Sequence, residues 1–267
     1  MNSISRKSSS KAMAVKETQV HVLRLRPVHF KKLAAITEVK TKALFSKNFI
    51  IMPVFSLGFT LLMKIIYNAA SQGAGALSAY SLALGVLMNL SMTGIYCTAA
   101  ALAEEKEKHT LRTLMTSSVN GLEFFLGSLI PVVLLTTVVN VLCVFIAGVK
   151  LDAPQWAVYT AVTTVCAAIS AVIGMIFGIF AKDQVTTGTI TTPAILVFMM
   201  IPMFCGFSET LEKISGLLFT GIIFNTIANL AGGIAPIDVK GSIILATELI
   251  LSVIVFLLLY RKNGFER

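Results

Sequence analysis

From Leu77 to Ala103 the chain has no charged side chain, and stretches of similar apolarity recur over 49–67, 122–149, 156–181, 187–207 and 241–260. A helix of about 20 apolar residues crosses the hydrocarbon core of a bilayer. Backbone polar groups in lipid must be satisfied within the segment, so each stretch reads as a membrane span. The chain is 56% hydrophobic and 13% charged, with a mean hydropathy of +0.84, against about 25% charged for a soluble domain. These observations predict an all-α integral membrane protein, with six transmembrane helices in one membrane domain over 49–260.

The net charge of +9 sits at one end. Met1 to Asn48 holds eleven Lys and Arg against Glu17 and Glu38, so the remainder is neutral overall. A basic segment beside a first membrane helix marks the cytoplasmic side and contacts anionic lipid headgroups; membrane lipids are expected partners and nucleic acid is not. Residues 1–26, rich in Ser and Lys without a sustained period, are expected to form a disordered basic arm. Pro27 suits a first helical turn, opening an interfacial helix over 27–48. On a helical wheel Phe30, Leu33, Ala34, Leu44 and Phe45 share a stripe with Thr37 and Thr41, while Ile36 and Val39 fall elsewhere, so this helix is weakly amphipathic. No cleavable signal peptide is expected, because the first apolar run begins near Phe49 and is too long for one. Cys97, Cys143, Cys166 and Cys205 lie inside apolar runs without metal-ligand spacing and read as small buried hydrophobes.

The region 208–240 contains an uncharged run, Ile214 to Ile237, long enough for a seventh span. Gly216, Gly221, Gly232, Gly233 and Pro236 interrupt it, Asn225 and Asn229 add the cost of buried amides, and a seventh span would put the basic tail 261–267 outside. One or two short re-entrant helices on the outer side are therefore expected. With six spans, eighteen of the 22 Lys and Arg fall on the inner side and only Lys150, Lys213 and Lys240 on the outer. That bias predicts both termini, including the tail, in the cytoplasm and a multi-pass protein of the plasma membrane.

The polar stretch from Ala103 to Leu129 separates spans two and three. Asn120 and Glu123 have capping-box spacing at the start of span three. Glu104, Glu105 and Glu107 stand at short helical spacings from His109 and Arg112, and a short helix Thr110–Met115 would carry Leu111, Leu114 and Met115 as apolar knobs among charges, the pattern of a helix seated in a partner's groove. The order Glu104, Glu105, Lys106, Glu107, Thr110, Leu114, Ser117, Leu122 and Glu123 resembles permease subunits of ABC-2 type ATP-binding cassette exporters, with departures at His109, where that family usually has Gly, and at Ser118, where Pro is common. The six-span plan, with an interfacial helix first and outer short helices before the last span, resembles the same family over most of the chain.

The resemblance implies a coupling helix within 104–120 that contacts an ABC ATPase subunit through Glu105, Glu107, His109, Thr110, Leu111, Arg112, Leu114 and Met115. The chain has no Walker A sequence to cradle phosphates, so it is expected to bind no cofactor and to be no enzyme itself, with ATP and Mg on the partner ATPase. A second permease chain, identical or different, would complete the path for a hydrophobic or amphipathic substrate such as a peptide, drug or lipid-like molecule.

Within the spans, Lys64 lies about 24 Å from the inner end of span one and Glu248 about 18 Å from Tyr260. Pairing of the two would reduce an intramembrane cost of about 2.5–3.5 kcal/mol per charge; snorkelling is the alternative for Lys64. Phe55, Phe59, Met199, Met200 and Phe204 are candidates to line the path, although Met and Phe at helical spacing usually serve packing. Pro193 and Pro202 give span five places to bend. A secondary transporter would show polar residues at the midplane and related halves, whereas the sequence has no clear internal repeat and few intramembrane charges. An intramembrane enzyme would need catalytic groups at membrane depth, and His21, His29 and His109 all fall on the cytoplasmic side. A membrane immunity or sensor protein, or a secondary transporter, without an ATPase is the competing reading.

Overall fold

The structure, a computed structural model, describes residues 29–70, 76–108 and 121–262. The basic arm, the segment 109–120 and tail residues 263–267 lie outside the described residues. All described elements are helical. They are α1 (Phe30–Leu44), α2 (Lys47–Ala70), α3, α4 (Gly121–Ala147), α5 (Ala153–Phe180), α6 (Gln184–Met203), α7 (Glu209–Ser215), α8 (Phe219–Ala231) and α9 (Val239–Lys262). Helix α3 begins as Ala76–Asn89, widens into π-helical turns over Leu90–Cys97 and continues as Thr98–Glu107. Six of these helices, α2, α3, α4, α5, α6 and α9, are long and apolar enough to cross a membrane.

Helix boundaries follow local chemistry that hydropathy does not register. Helix α5 starts at Ala153, three residues ahead of Trp156, because Asp152 and Gln155 form a reciprocal capping box with Pro in the first turn. Helix α6 starts at Gln184, where the Asp183 carboxylate accepts the Thr186 N–H at 2.7 Å. The two short helices α7 and α8 meet at a bend of 101°. At that bend a Cβ on Gly221 would fall 1.9 Å from the Ser215 carbonyl oxygen, so only glycine permits the turn. Phe219, Ile223 and Ile227 then bury α8 against α3, α5 and α6.

Helix α3 is the axis of the bundle: 83% of its most apolar 18-residue stretch is buried, against 22% for that of α2, 22% for α6 and 17% for α9. Close backbone approach makes this possible. Gly94, Thr98 and Leu102 on α3 meet Ser170, Gly174 and Gly178 on α5, both sets at i, i+4, i+8. A Cβ on Gly174 would lie 2.5 Å from the Ile95 carbonyl oxygen and one on Gly94 2.1 Å from Ser170 Oγ. Small residues at four-residue spacing are how helices pack in lipid, where burial in water gives no drive. A polar seam crosses the same core: Asn89 Nδ2 donates to Asn140 Oδ1 at 2.8 Å and to the Thr136 carbonyl at 2.9 Å, while Tyr159 donates to the Asn140 carbonyl at 2.8 Å.

Candidate functional site

Successive residues on an α-helix point about 100° apart, so the four charged residues of the last turn of α3, Glu104 to Glu107, and Lys108 just beyond it project in all directions. Glu105 pairs with Lys40 of α1. Lys40 is 8% exposed and sits 4.6 Å from the centre of the Phe124 ring on α4, a cation–π position. Burial pushes the Lys40 ammonium below its ordinary pKa, and the Glu105 carboxylate opposes that shift.

Lys106 donates to the carbonyls of Gly178 at 3.1 Å and Ile179 at 2.8 Å, and also to that of Ala181. These carbonyls end α5, where an ammonium satisfies orphan acceptors and the negative end of the helix dipole. A carboxylate oxygen of Glu107 lies 3.4 Å from the Gln184 N–H that begins α6. Glu104 pairs with Lys108 one turn on. One helical turn thus fastens α3 to α1, α5 and α6.

Helix α1 is fixed to α4 as well. The Glu123 carboxylate, 1% exposed, accepts the His29 N–H at 2.8 Å at the N-cap of α1. Ile36 packs where Gly127 has no Cβ. The buried face of α1 is Ile36, Lys40 and Leu44, whereas Phe30 and Phe45 of the wheel stripe are 83% and 58% exposed. The wheel counts apolar residues and passes over a lysine, and here the lysine is the inward residue because Glu105 faces it. Asn120, the other half of the expected capping box, lies outside the described residues.

Of the residues expected to meet an ATPase, Glu105 and Glu107 occupy the turn just described; His109, Thr110, Leu111, Arg112, Leu114 and Met115 lie outside the described residues. Lys64 and Glu248 do not pair. The Lys64 ammonium donates to the Ile146 carbonyl at 2.8 Å, at the end of α4. Glu248 lies beside the Phe219 N–H that opens α8, and one of its carboxylate oxygens is buried with no hydrogen-bond partner among the described residues. Phe55 and Phe59 are on α2 and Met199 and Met200 on α6, with Phe204 just beyond, and α2 and α6 form no substantial packing contact. Phe55 is 52% exposed, whereas Phe59 and Met199 pack on the main core. Asn225 is exposed and Asn229 donates to the Pro236 carbonyl at 3.4 Å, so neither carries the expected burial cost.

Sequence reasoning missed Lys40, Lys106 and the glycine seam. The signal for Lys40 was its place four residues from both Ile36 and Leu44. For Ser170, Gly174 and Gly178 it was the four-residue spacing of small side chains.

Comparison with curated proteins returns no match. The family described as ABC-2 type transporter matches residues 36–218.

Proposed function

Because the chain belongs to the ABC-2 type transporter family, matched over more than half its length, as a multi-pass membrane permease, we propose that it is the translocating subunit of an ATP-driven exporter coupled to a separate ATPase subunit. The observation that carries this reading is the terminal turn of α3. Its charges connect to α1, α5 and α6, and it leads directly into the segment 109–120. A force applied to that segment by a closing ATPase reaches three helices through side chains already in contact. Packed interfaces of this kind switch between discrete arrangements and so turn a small displacement into a domain motion.

In this reading Leu111, Leu114 and Met115 seat in the ATPase, with Glu105, Glu107, His109, Thr110 and Arg112 around them, and ATP and Mg remain on the partner. The termini are cytoplasmic, as the lysine and arginine bias indicates. A second permease chain, the same or different, covers part of the apolar surface left open on α2, α6 and α9, and a hydrophobic or amphipathic substrate passes between the two. Purification of the tagged chain in mild detergent tests the proposal. Recovery of a stoichiometric ATPase whose hydrolysis depends on the permease is expected; a chain active in substrate movement with no ATPase partner would overturn it.

A further inference from the structure

In the middle of α3, over Leu90–Cys97, the backbone is π-helical. A π-helical N–H reaches the carbonyl five residues back rather than four, so the stretch takes in one residue more than α-helical turns in its place would. Its sequence, LSMTGIYC, has no proline to impose this. Two of its side chains are left unsatisfied. Ser91 and Thr93 are 0% exposed, and neither hydroxyl has a hydrogen-bond partner among the described residues. Thr60, Thr163 and Thr191, equally buried on α-helical spans, donate to the carbonyl four residues back, each at 2.8 Å. A buried hydroxyl without a partner is uncompensated. What holds the π turns in place is packing: the Gly94 and Ile95 carbonyls lie where Gly174 of α5 has no Cβ, and Ser170 lies where Gly94 has none.

We infer that α3 has a second register, in which Leu90–Cys97 is α-helical and the surplus residue is taken up within Thr98–Ala103. There the Ser91 hydroxyl donates to the Leu87 carbonyl and the Thr93 hydroxyl to that of Asn89. The receiving stretch reads TAAALA, whose small side chains let a wider turn form at little steric cost. Both ends of α3 stay anchored, the outer through Asn89 on Thr136 and Asn140 of α4, the inner through Lys106 on the end of α5. The stretch between them turns by up to one residue's step, about 100°. Gly94 turns away from Ser170, and the side chain that replaces it levers α5 from α3. Cys97, 1% exposed in the π register, comes to the place of Thr98, which lines a cavity of about 630 Å³ between α1 and the bundle. Two new hydrogen bonds offset the lost glycine contacts, which gives α3 and α5 two discrete packings, the kind of contact that turns a small push into a helix motion. This inference goes beyond the exporter reading, and both registers belong to the chain with or without an ATPase.

Labelling of the full chain in mild detergent with N-ethylmaleimide, read at each cysteine by mass spectrometry of its peptides, tests it. Cys143 and Cys166, both 0% exposed on α4 and α5, report opening of the whole bundle. Cys97 should react faster than either. Ser91→Ala with Thr93→Val removes the two hydrogen bonds that favour the second register and should slow Cys97 by about tenfold, the factor for two such bonds, with Cys143 and Cys166 unchanged. Ser91→Ala alone should slow it by about threefold, and it decides the matter if the double variant does not fold. Cys97 reacting no faster than Cys143 and Cys166 in the wild-type chain, or at the wild-type rate in the variants, would overturn the inference.

Discussion

Lys40 of α1 and Glu105 of α3 lie 65 positions apart in sequence and meet as an ion pair whose side chains are 10% and 19% exposed. The pair joins α1 to the most buried span. Desolvation makes such a pair weak evidence for net stability, yet removal of one partner leaves the other in a dry place. Lys40→Met is therefore expected to lower stability by about 3 kcal/mol, and Lys40→Met with Glu105→Gln to recover most of the loss. Unfolding by a denaturing detergent, compared across the wild type and these variants, checks it.

The same lysine gives a pH dependence with a definite sign. Because burial depresses the Lys40 pKa below 10.5, the folded chain gives up this proton at lower pH than the unfolded chain. The penalty for holding the charge is fully present below the folded pKa and gone above the unfolded one, so stability rises with pH between them. Relative to the double variant, the wild type should gain stability as pH climbs toward 10.5 and show no difference in slope near neutrality.

Lys106 acts on α5 through its C-terminal carbonyls. Lys106→Met should fray the last turn of α5, at a cost of about 1 kcal/mol, seen as faster amide exchange at Phe177, Ile179 and Phe180. Lys106→Arg retains the charge and the donors and should protect most of that turn.

Much of the architecture was legible from hydropathy: the six spans and the pair of short helices before the last one are where uncharged length and glycine breaks put them. What could not be read is which side chain meets which. Hydropathy ends span two near Ala103, but α3 continues to Glu107 because Lys106 finds carbonyls on α5 and Glu105 finds Lys40, partners 73 and 65 positions away. The inward face of α1 was obscured for the same reason, since a lysine counts as polar until its carboxylate is placed. Lys64 and Glu248 looked alike as isolated charges at similar depth, whereas the Lys64 ammonium donates to a carbonyl at the end of α4 and Glu248 lies beside the start of α8.

The glycine seam yields a contrast between sites. Gly174→Ala forces a methyl toward the Ile95 and Gly94 carbonyl oxygens and should destabilise by about 1–3 kcal/mol, the range for overpacking. Gly58 and Gly188 have nothing within 4 Å of an added Cβ, so alanine there should stabilise by about 0.5–1 kcal/mol through helix propensity. Thermal aggregation of the three purified variants ranks them.

Whether an ATPase drives this permease through the segment that follows α3 is decided by ATP hydrolysis and substrate movement measured together in the purified complex carrying Leu111→Asp or Leu114→Asp. Normal membrane insertion is expected, with either loss of the ATPase or hydrolysis without transport. Unchanged ATPase binding and fully coupled transport in both variants would contradict it.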